Sequence, residues 1–101
     1  LSFSVDKLYE TGWQPLEADG CERLPDGRLY PSLLMVTREF AQRGYDLAIR
    51  YVQLFDCYRA VWIDSTGAAA GAVVGSGERE ASVYALAQLR RNTSGAMRVA
   101  P

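Results

Sequence analysis

A run of 20 residues, Tyr45–Asp64, contains neither glycine nor proline and is rich in tyrosine, valine, isoleucine, phenylalanine and tryptophan. Aromatic and β-branched side chains favour β-strands. A strand in a globular protein is usually about 3–10 residues long, so the run is too long for a single strand. The run therefore predicts two strands, separated by a turn or bulge near Asp56.

A third strand is predicted directly after this run. The Ser-Thr-Gly sequence at residues 65–67 is typical of a turn and leads into Ala68–Val74, a segment of small residues and valines. Strands joined by short turns must be antiparallel, because parallel pairs need long crossovers. Both alternating sets of side chains in residues 58–63 are partly apolar, which favours a central position for that strand.

Helices are predicted on either side of the three strands. In the first, Pro31–Arg43, Leu33, Val36 and Phe40 recur at spacings of three and four and share one face. Proline in the first turn loses no hydrogen bond, and Gly44 is suited to the position after the helix. The second, Glu78–Arg91, has glutamates in its first turn and arginines in its last, which complements the helix dipole.

The remaining residues are expected to extend this core. Residues 1–30 predict a short helix capped by Ser4 and ended by Gly12, then a loop or small hairpin that turns at residues 25–27 (Pro-Asp-Gly). Residues 92–101 are polar and contain glycine, and we expect them to form a flexible tail. The prediction is one α+β domain with α-β-β-β-α order over residues 31–91, in which two helices pack on a three-stranded antiparallel sheet.

This order resembles the double-stranded RNA-binding domain over residues 31–91. The resemblance rests on the hairpin glycine Gly67, on further glycines before the final helix, and on the alanines of that helix: Gly71, Gly75, Gly77, Ala81, Ala85 and Ala87. It implies an α-β-β-β-α fold and binding of duplex RNA by the start of the final helix.

The residues that contact RNA in this family are only partly matched here. The family opens its final helix with lysines that bind phosphates, and alignment on Ala81 places Glu78, Arg79 and Ser82 at those positions. Arg79 alone keeps a positive charge and is the candidate RNA contact. The family's histidine-bearing loop between the first two strands corresponds to Gln53–Cys57, which has no histidine.

The absence of histidine removes the commonest general base and metal ligand from the chain. The glycines at 71–77 lack the lysine of a phosphate-binding loop, and Ser76 has no histidine to activate it. Two cysteines, Cys21 and Cys57, are too few for a zinc site of the usual kind. Glu78 and Glu80 diverge on a helix and do not form a facing carboxylate pair. We predict that the protein is not an enzyme and uses neither a metal nor a cofactor.

Charge and cysteine content bear on the compartment and on partners. With 11 basic and 12 acidic residues the net charge is −1, so the chain has no bulk attraction for nucleic acid or anionic lipid. No apolar run approaches the length of about 20 residues that crosses a bilayer. Two cysteines permit one disulfide, but two reduced thiols are the expectation. We therefore expect a cytoplasmic protein that does not bind membranes.

Aromatic residues make up 11% of the chain, more than two short helices can cover. Tyrosine and tryptophan are enriched at interaction surfaces, and Tyr51, Phe55 and Tyr58 near the expected turn are the candidate interface. We expect a small interaction module that contacts a protein partner or associates with itself. The alternatives are binding of double-stranded RNA through Arg79 and a small-ligand pocket beneath the loop Gln14–Tyr30.

Overall fold

The computed structural model describes residues 1–15 and 19–99, with side chains up to residue 92. These residues form three α-helices and two antiparallel sheets, of two and three strands. In chain order the elements are α1 (Ser2–Glu10), β1 (Cys21–Arg23), β2 (Leu29–Pro31), α2 (Leu33–Gln42), β3 (Asp46–Val52), a short 3-10 helix (Gln53–Phe55), β4 (Cys57–Ile63), β5 (Ala69–Gly75) and α3 (Glu78–Val99).

The larger sheet has the order β3-β4-β5, with β4 in the centre and each neighbour antiparallel to it. The interruption predicted near Asp56 is confirmed, because the 3-10 helix ends there and Asp56 adopts φ 47°, in the left-handed region. Aspartate is one of the few residues that tolerate this conformation. Its carboxylate accepts a hydrogen bond from the Tyr51 hydroxyl at 2.6 Å, which ties the turn back to β3.

The turn between β4 and β5 is held by the carboxylate of Asp64. This side chain accepts hydrogen bonds from the backbone N–H groups of Thr66 at 2.9 Å and Ala68 at 3.1 Å, and from the Thr66 hydroxyl at 2.6 Å. Gly67 has φ 88°, which a glycine adopts without the steric cost of a Cβ. The predicted hairpin over residues 65–67 is confirmed.

One face of this sheet forms the core together with α2 and α3. Trp62 of β4 is buried there, and its ring centroid lies 5.3 Å from that of Phe40 of α2. Gly71 of β5 is the cross-strand partner of Trp62, and the indole ring lies over the place where a Cβ would be. The absence of a side chain at residue 71 therefore makes room for the largest side chain of the core.

The prediction of a single three-stranded sheet with a helical and loop extension needs correction. Residues 21–31 form a second sheet, the antiparallel pair β1-β2, which closes through the Pro-Asp-Gly turn. Helix α1 packs on α3, and Val5 and Leu8 are fully buried in the same core as Trp62. The sequence of α1 does not predict this packing, because the helix is short and its apolar and polar residues are not cleanly separated. Burial of Val5 and Leu8 becomes favourable only when α3 provides a surface for them.

Three helix boundaries also differ from the prediction. Helix α1 begins at Ser2, so Ser4, the predicted cap, is a buried residue inside the helix. Pro31 belongs to β2 and pairs with Cys21, so α2 begins at Leu33, and the Ser32 side chain caps it by accepting the Met35 N–H at 3.3 Å. The backbone of α3 is helical to Val99, where the sequence predicted a flexible tail from residue 92. Residues 92–99 contain one glycine and no proline, and a single glycine costs a helix only about 1 kcal/mol. Residues 100 and 101 lie outside the described part.

Candidate functional site

The connection between β3 and β4 presents the most exposed large apolar side chains of the described residues. Leu54 is 83% exposed, Phe55 is 72% exposed and Tyr51, at the end of β3, is 51% exposed. We call these three residues the apolar tip. A 3-10 helix of three residues is too short to turn a side of its own toward the core, which leaves both Leu54 and Phe55 in solvent.

The structure places the three predicted interface residues in different surroundings. Tyr51 and Phe55 are exposed, whereas Tyr58 is half-buried and packs against the core. Tyr51 and Tyr58 are cross-strand partners with ring centroids 5.3 Å apart, but no ring contact joins Phe55 to either within the described residues. The hydrogen bond to Asp56 raises the pKa of Tyr51, and partial desolvation adds a smaller rise. Sequence reasoning missed Leu54, because an isolated leucine after a strand gives no sign of its exposure.

Next to the tip lies the face of the larger sheet that points away from Trp62. We call it the open face; the side chains that form its centre are Ala48, Arg50, Val52, Arg59, Val61, Ile63, Ala72 and Val74. Six of these line a shallow concavity of about 570 Å³ together with Tyr51 and Gln53 at its rim. Arg50 and Arg59 are directly opposite each other on β3 and β4, and both are exposed.

The candidate RNA contact, Arg79, lies in the first turn of α3 and is 64% exposed. Its Nε–H donates to Glu22 Oε2 at 3.0 Å, so its charge is already paired with a carboxylate of β1. Arg79 and Glu22 line a concavity of about 670 Å³ between the beginnings of α2 and α3, where Glu78 and Glu80 also lie. Three carboxylates therefore surround the single arginine that the resemblance identified.

The side chain of Glu80 forms hydrogen bonds at the N-terminal end of α3. Its Oε2 accepts hydrogen bonds from the Ser76 backbone N–H at 2.8 Å and from the Ser76 hydroxyl. The hydroxyl bond is the main cause of a lowered pKa for Glu80; burial opposes that shift, and the backbone bond adds to it. The glutamate thus caps a helix end, the structural role that its position in the sequence predicts.

In the described residues Cys21 and Cys57 are not joined by a disulfide. Cys21 Sγ lies 3.8 Å from Met35 Sδ, and burial raises the pKa of this thiol. Within residues 1–15 and 19–99 no group of three potential ligands is arranged to hold a metal ion. In the same residues no helix is both long enough and apolar enough to cross a membrane.

The predicted pocket beneath the loop Gln14–Tyr30 falls partly on residues 16–18, which lie outside the described part. A concavity of about 390 Å³ does occur beside Asp19 and Gly20, and it is lined mainly by α2. Arg38 and Glu39 make one end of its lining polar and charged. The buried polar side chains of the described residues, Ser4 and Ser82, do not line it.

Comparisons with known proteins do not assign the chain to a family. No family model matches the sequence, and neither a curated protein nor a solved structure is significantly similar to it. The function therefore has to be argued from the apolar tip, the open face and the beginning of α3.

Proposed function

We propose that this protein is a non-catalytic interaction module that contacts a protein partner, or a second copy of itself, through the apolar tip. The observation that carries this proposal is the exposure of Leu54, Phe55 and Tyr51 within a stretch of five residues at one end of the sheet. Isolated exposed apolar residues are common on protein surfaces, but a contiguous group of large ones marks an interaction site.

The size of the tip limits how strong its contact can be. Full burial of a leucine or phenylalanine side chain contributes about 1.5–3 kcal/mol, so Leu54 and Phe55 together contribute about 3–6 kcal/mol. Association costs at least about 4 kcal/mol in lost translational and rotational freedom. The tip alone is therefore too small for a tight complex, and a stable contact needs adjoining surface as well.

Sedimentation velocity at increasing protein concentration tests self-association, and affinity capture with cross-linking tests a separate partner. We expect Leu54→Ser and Phe55→Ser to weaken the association at least tenfold without lowering the melting temperature, because neither side chain belongs to the core. Leu34→Ser is the matched control, since Leu34 is 59% exposed and lies on α2, away from the tip. A protein that stays monomeric and captures no partner, or association that all three variants weaken equally, overturns the proposal.

Binding of double-stranded RNA is the second candidate, favoured by the exposed Arg79 at the start of a helix that follows three antiparallel strands. Phosphate contacts supply most of the affinity in such complexes. A gel shift with duplex RNA at low salt distinguishes this candidate from the first. Salt-sensitive binding that Arg79→Glu abolishes and Arg91→Glu retains supports RNA binding. No shift at micromolar protein rejects it.

A further inference from the structure

The open face is exposed on a sheet whose other face forms the core. Helices α2 and α3 pack on the side that carries Trp62, and α1 packs on α3. In the part of the chain that the structure describes, Arg59, Ala72 and Val74 of the opposite side are exposed. A sheet with one solvated face ordinarily alternates apolar and polar side chains, but here the outward positions are mostly alanine, valine and isoleucine.

The two charges at the centre of this face are alike. Arg50 and Arg59 are cross-strand partners, and like charges in this position destabilise a sheet. Neither forms an ion pair with any described residue. Asp46, on the same side of β3, is four residues from Arg50, or about 13 Å along the strand. Three other arginines do have carboxylate partners: Arg28, Arg43 and Arg79.

From this arrangement we infer that the open face binds a protein segment that carries carboxylate side chains between apolar ones. The inference rests on the proposed protein contact and names its surface and partner chemistry. A carboxylate placed between the two guanidinium groups receives charge-assisted hydrogen bonds from both and removes their mutual repulsion. Apolar side chains that flank it cover Val61 on one side of the arginine pair and Val52 on the other, where the open face adjoins the apolar tip.

Charge complementarity excludes two other occupants. A second copy laid face to face with its arginines in register would bring four arginines together, and this arrangement is repulsive because Asp46, the carboxylate on the same side of β3, lies about 13 Å along the strand from Arg50. A nucleic acid needs many phosphate contacts, about 6–10 in a typical complex, whereas the open face offers only the two arginines Arg50 and Arg59 among aliphatic side chains. The centre of this face also has no aromatic ring on which a base could stack.

The probe is a fluorescein-labelled synthetic peptide with two glutamates between pairs of leucines, titrated with the full chain and followed by fluorescence anisotropy. We expect saturable binding that an otherwise identical glutamine peptide shows at least tenfold more weakly. Arg50→Gln and Arg59→Gln are each expected to weaken binding of the glutamate peptide at least tenfold. Arg91→Gln, which removes an exposed arginine from α3, is the matched control and is expected to leave binding unchanged.

A charge reversal separates lost binding from lost folding. Arg59→Glu replaces a like-charged cross-strand pair with an oppositely charged one, so it should raise the melting temperature of the free protein while it abolishes peptide binding. Equal binding of the two peptides, no binding of the glutamate peptide at 1 mM protein, or a lower melting temperature for Arg59→Glu overturns the inference. Stronger binding of a single-stranded oligonucleotide, dependent on the same two arginines, also overturns it.

Failure of this inference can be told apart from failure of the proposed function. If association depends on Leu54 but the glutamate peptide does not bind, the proposed interaction module stands and only the acidic partner is overturned. A protein that neither associates nor captures a partner overturns the proposed function, whatever the peptide does.

Discussion

Replacing Gly71 with alanine tests how the central tryptophan is accommodated in the core. A Cβ at this position would overlap the six-membered ring of the Trp62 indole and would lie 2.8 Å from its Nε1. Real Cβ atoms essentially never approach another heavy atom so closely. Since Trp62 is also packed on Phe40, the indole cannot move away without disturbing α2.

Two opposing effects set the size of the change. Alanine is favoured over glycine inside a strand by about 0.5–1 kcal/mol, because glycine loses more backbone freedom on folding. Overpacking of a well-packed core costs about 1–3 kcal/mol, and the overlap with a ring that has no free space favours the upper half of that range. We expect Gly71→Ala to lower the free energy of unfolding by about 1–2.5 kcal/mol, which lowers the melting temperature of a chain of this size by roughly 4–20 °C.

Urea unfolding followed by circular dichroism measures this change, and a double-mutant cycle with Trp62→Phe assigns its cause. A phenyl ring vacates the space over residue 71, so in the Trp62→Phe protein the same Gly71→Ala substitution should be neutral or stabilising. The coupling between the two positions is expected to be about 1–3 kcal/mol. A melting temperature for Gly71→Ala equal to or above that of the original protein, or a cycle without coupling, refutes the steric argument.

Glu80, Leu8 and Cys21 each test a separate contact of the fold. Because the pKa of Glu80 is lowered in the folded state, its contribution to stability is complete above the ordinary glutamate pKa and is lost as the pH falls through the folded value. Glu80→Gln should therefore lower the melting temperature at pH 7, and the difference from the original protein should shrink in acid; a constant difference from pH 7 to pH 2.5 would contradict the capping role. Leu8→Ala should lower the free energy of unfolding, measured in urea, by about 2–5 kcal/mol, because the side chain of Leu8 on α1 is fully buried in the core. A decrease below about 0.5 kcal/mol would mean that packing of α1 contributes little to stability. In a Cys57→Ser protein, Cys21 should react with a thiol reagent at pH 7 more slowly than a cysteine in a short peptide, because its raised pKa leaves less thiolate; equal rates would show that its burial is not maintained in solution.

The local structure of the sheet follows from the sequence. The run Tyr45–Asp64 predicts two strands and their interruption, because strand-forming residues cannot continue for 20 positions without a turn. The hairpin at residues 65–67 and the start of α3 at Glu78 also match the structure. These features depend on the backbone preferences and local hydrogen bonds of residues that are neighbours in the chain, so they can be predicted from the sequence.

The sequence was less informative about the candidate site. It identified Tyr51 and Phe55 as surface residues beside a turn, but it gave Tyr58 the same status although Tyr58 packs against the core. It identified Arg79 from the resemblance, but it did not show that Glu22, 57 residues earlier, pairs with it. Whether a side chain is free for a partner depends on what the fold brings next to it.

Composition and spacing by themselves determined the α+β class, the strands of the larger sheet, the start of α3 marked by glutamates and the ends of α1 and α2 marked by glycine. Only the tertiary structure decided that α1 belongs to the core, that Gly71 lies beneath Trp62, and that Arg50 and Arg59 stand opposite each other on an apolar face. The physical reason is the range of the interactions. Backbone preferences act over a few residues, whereas packing and cross-strand electrostatics join residues that become neighbours only once the chain has folded.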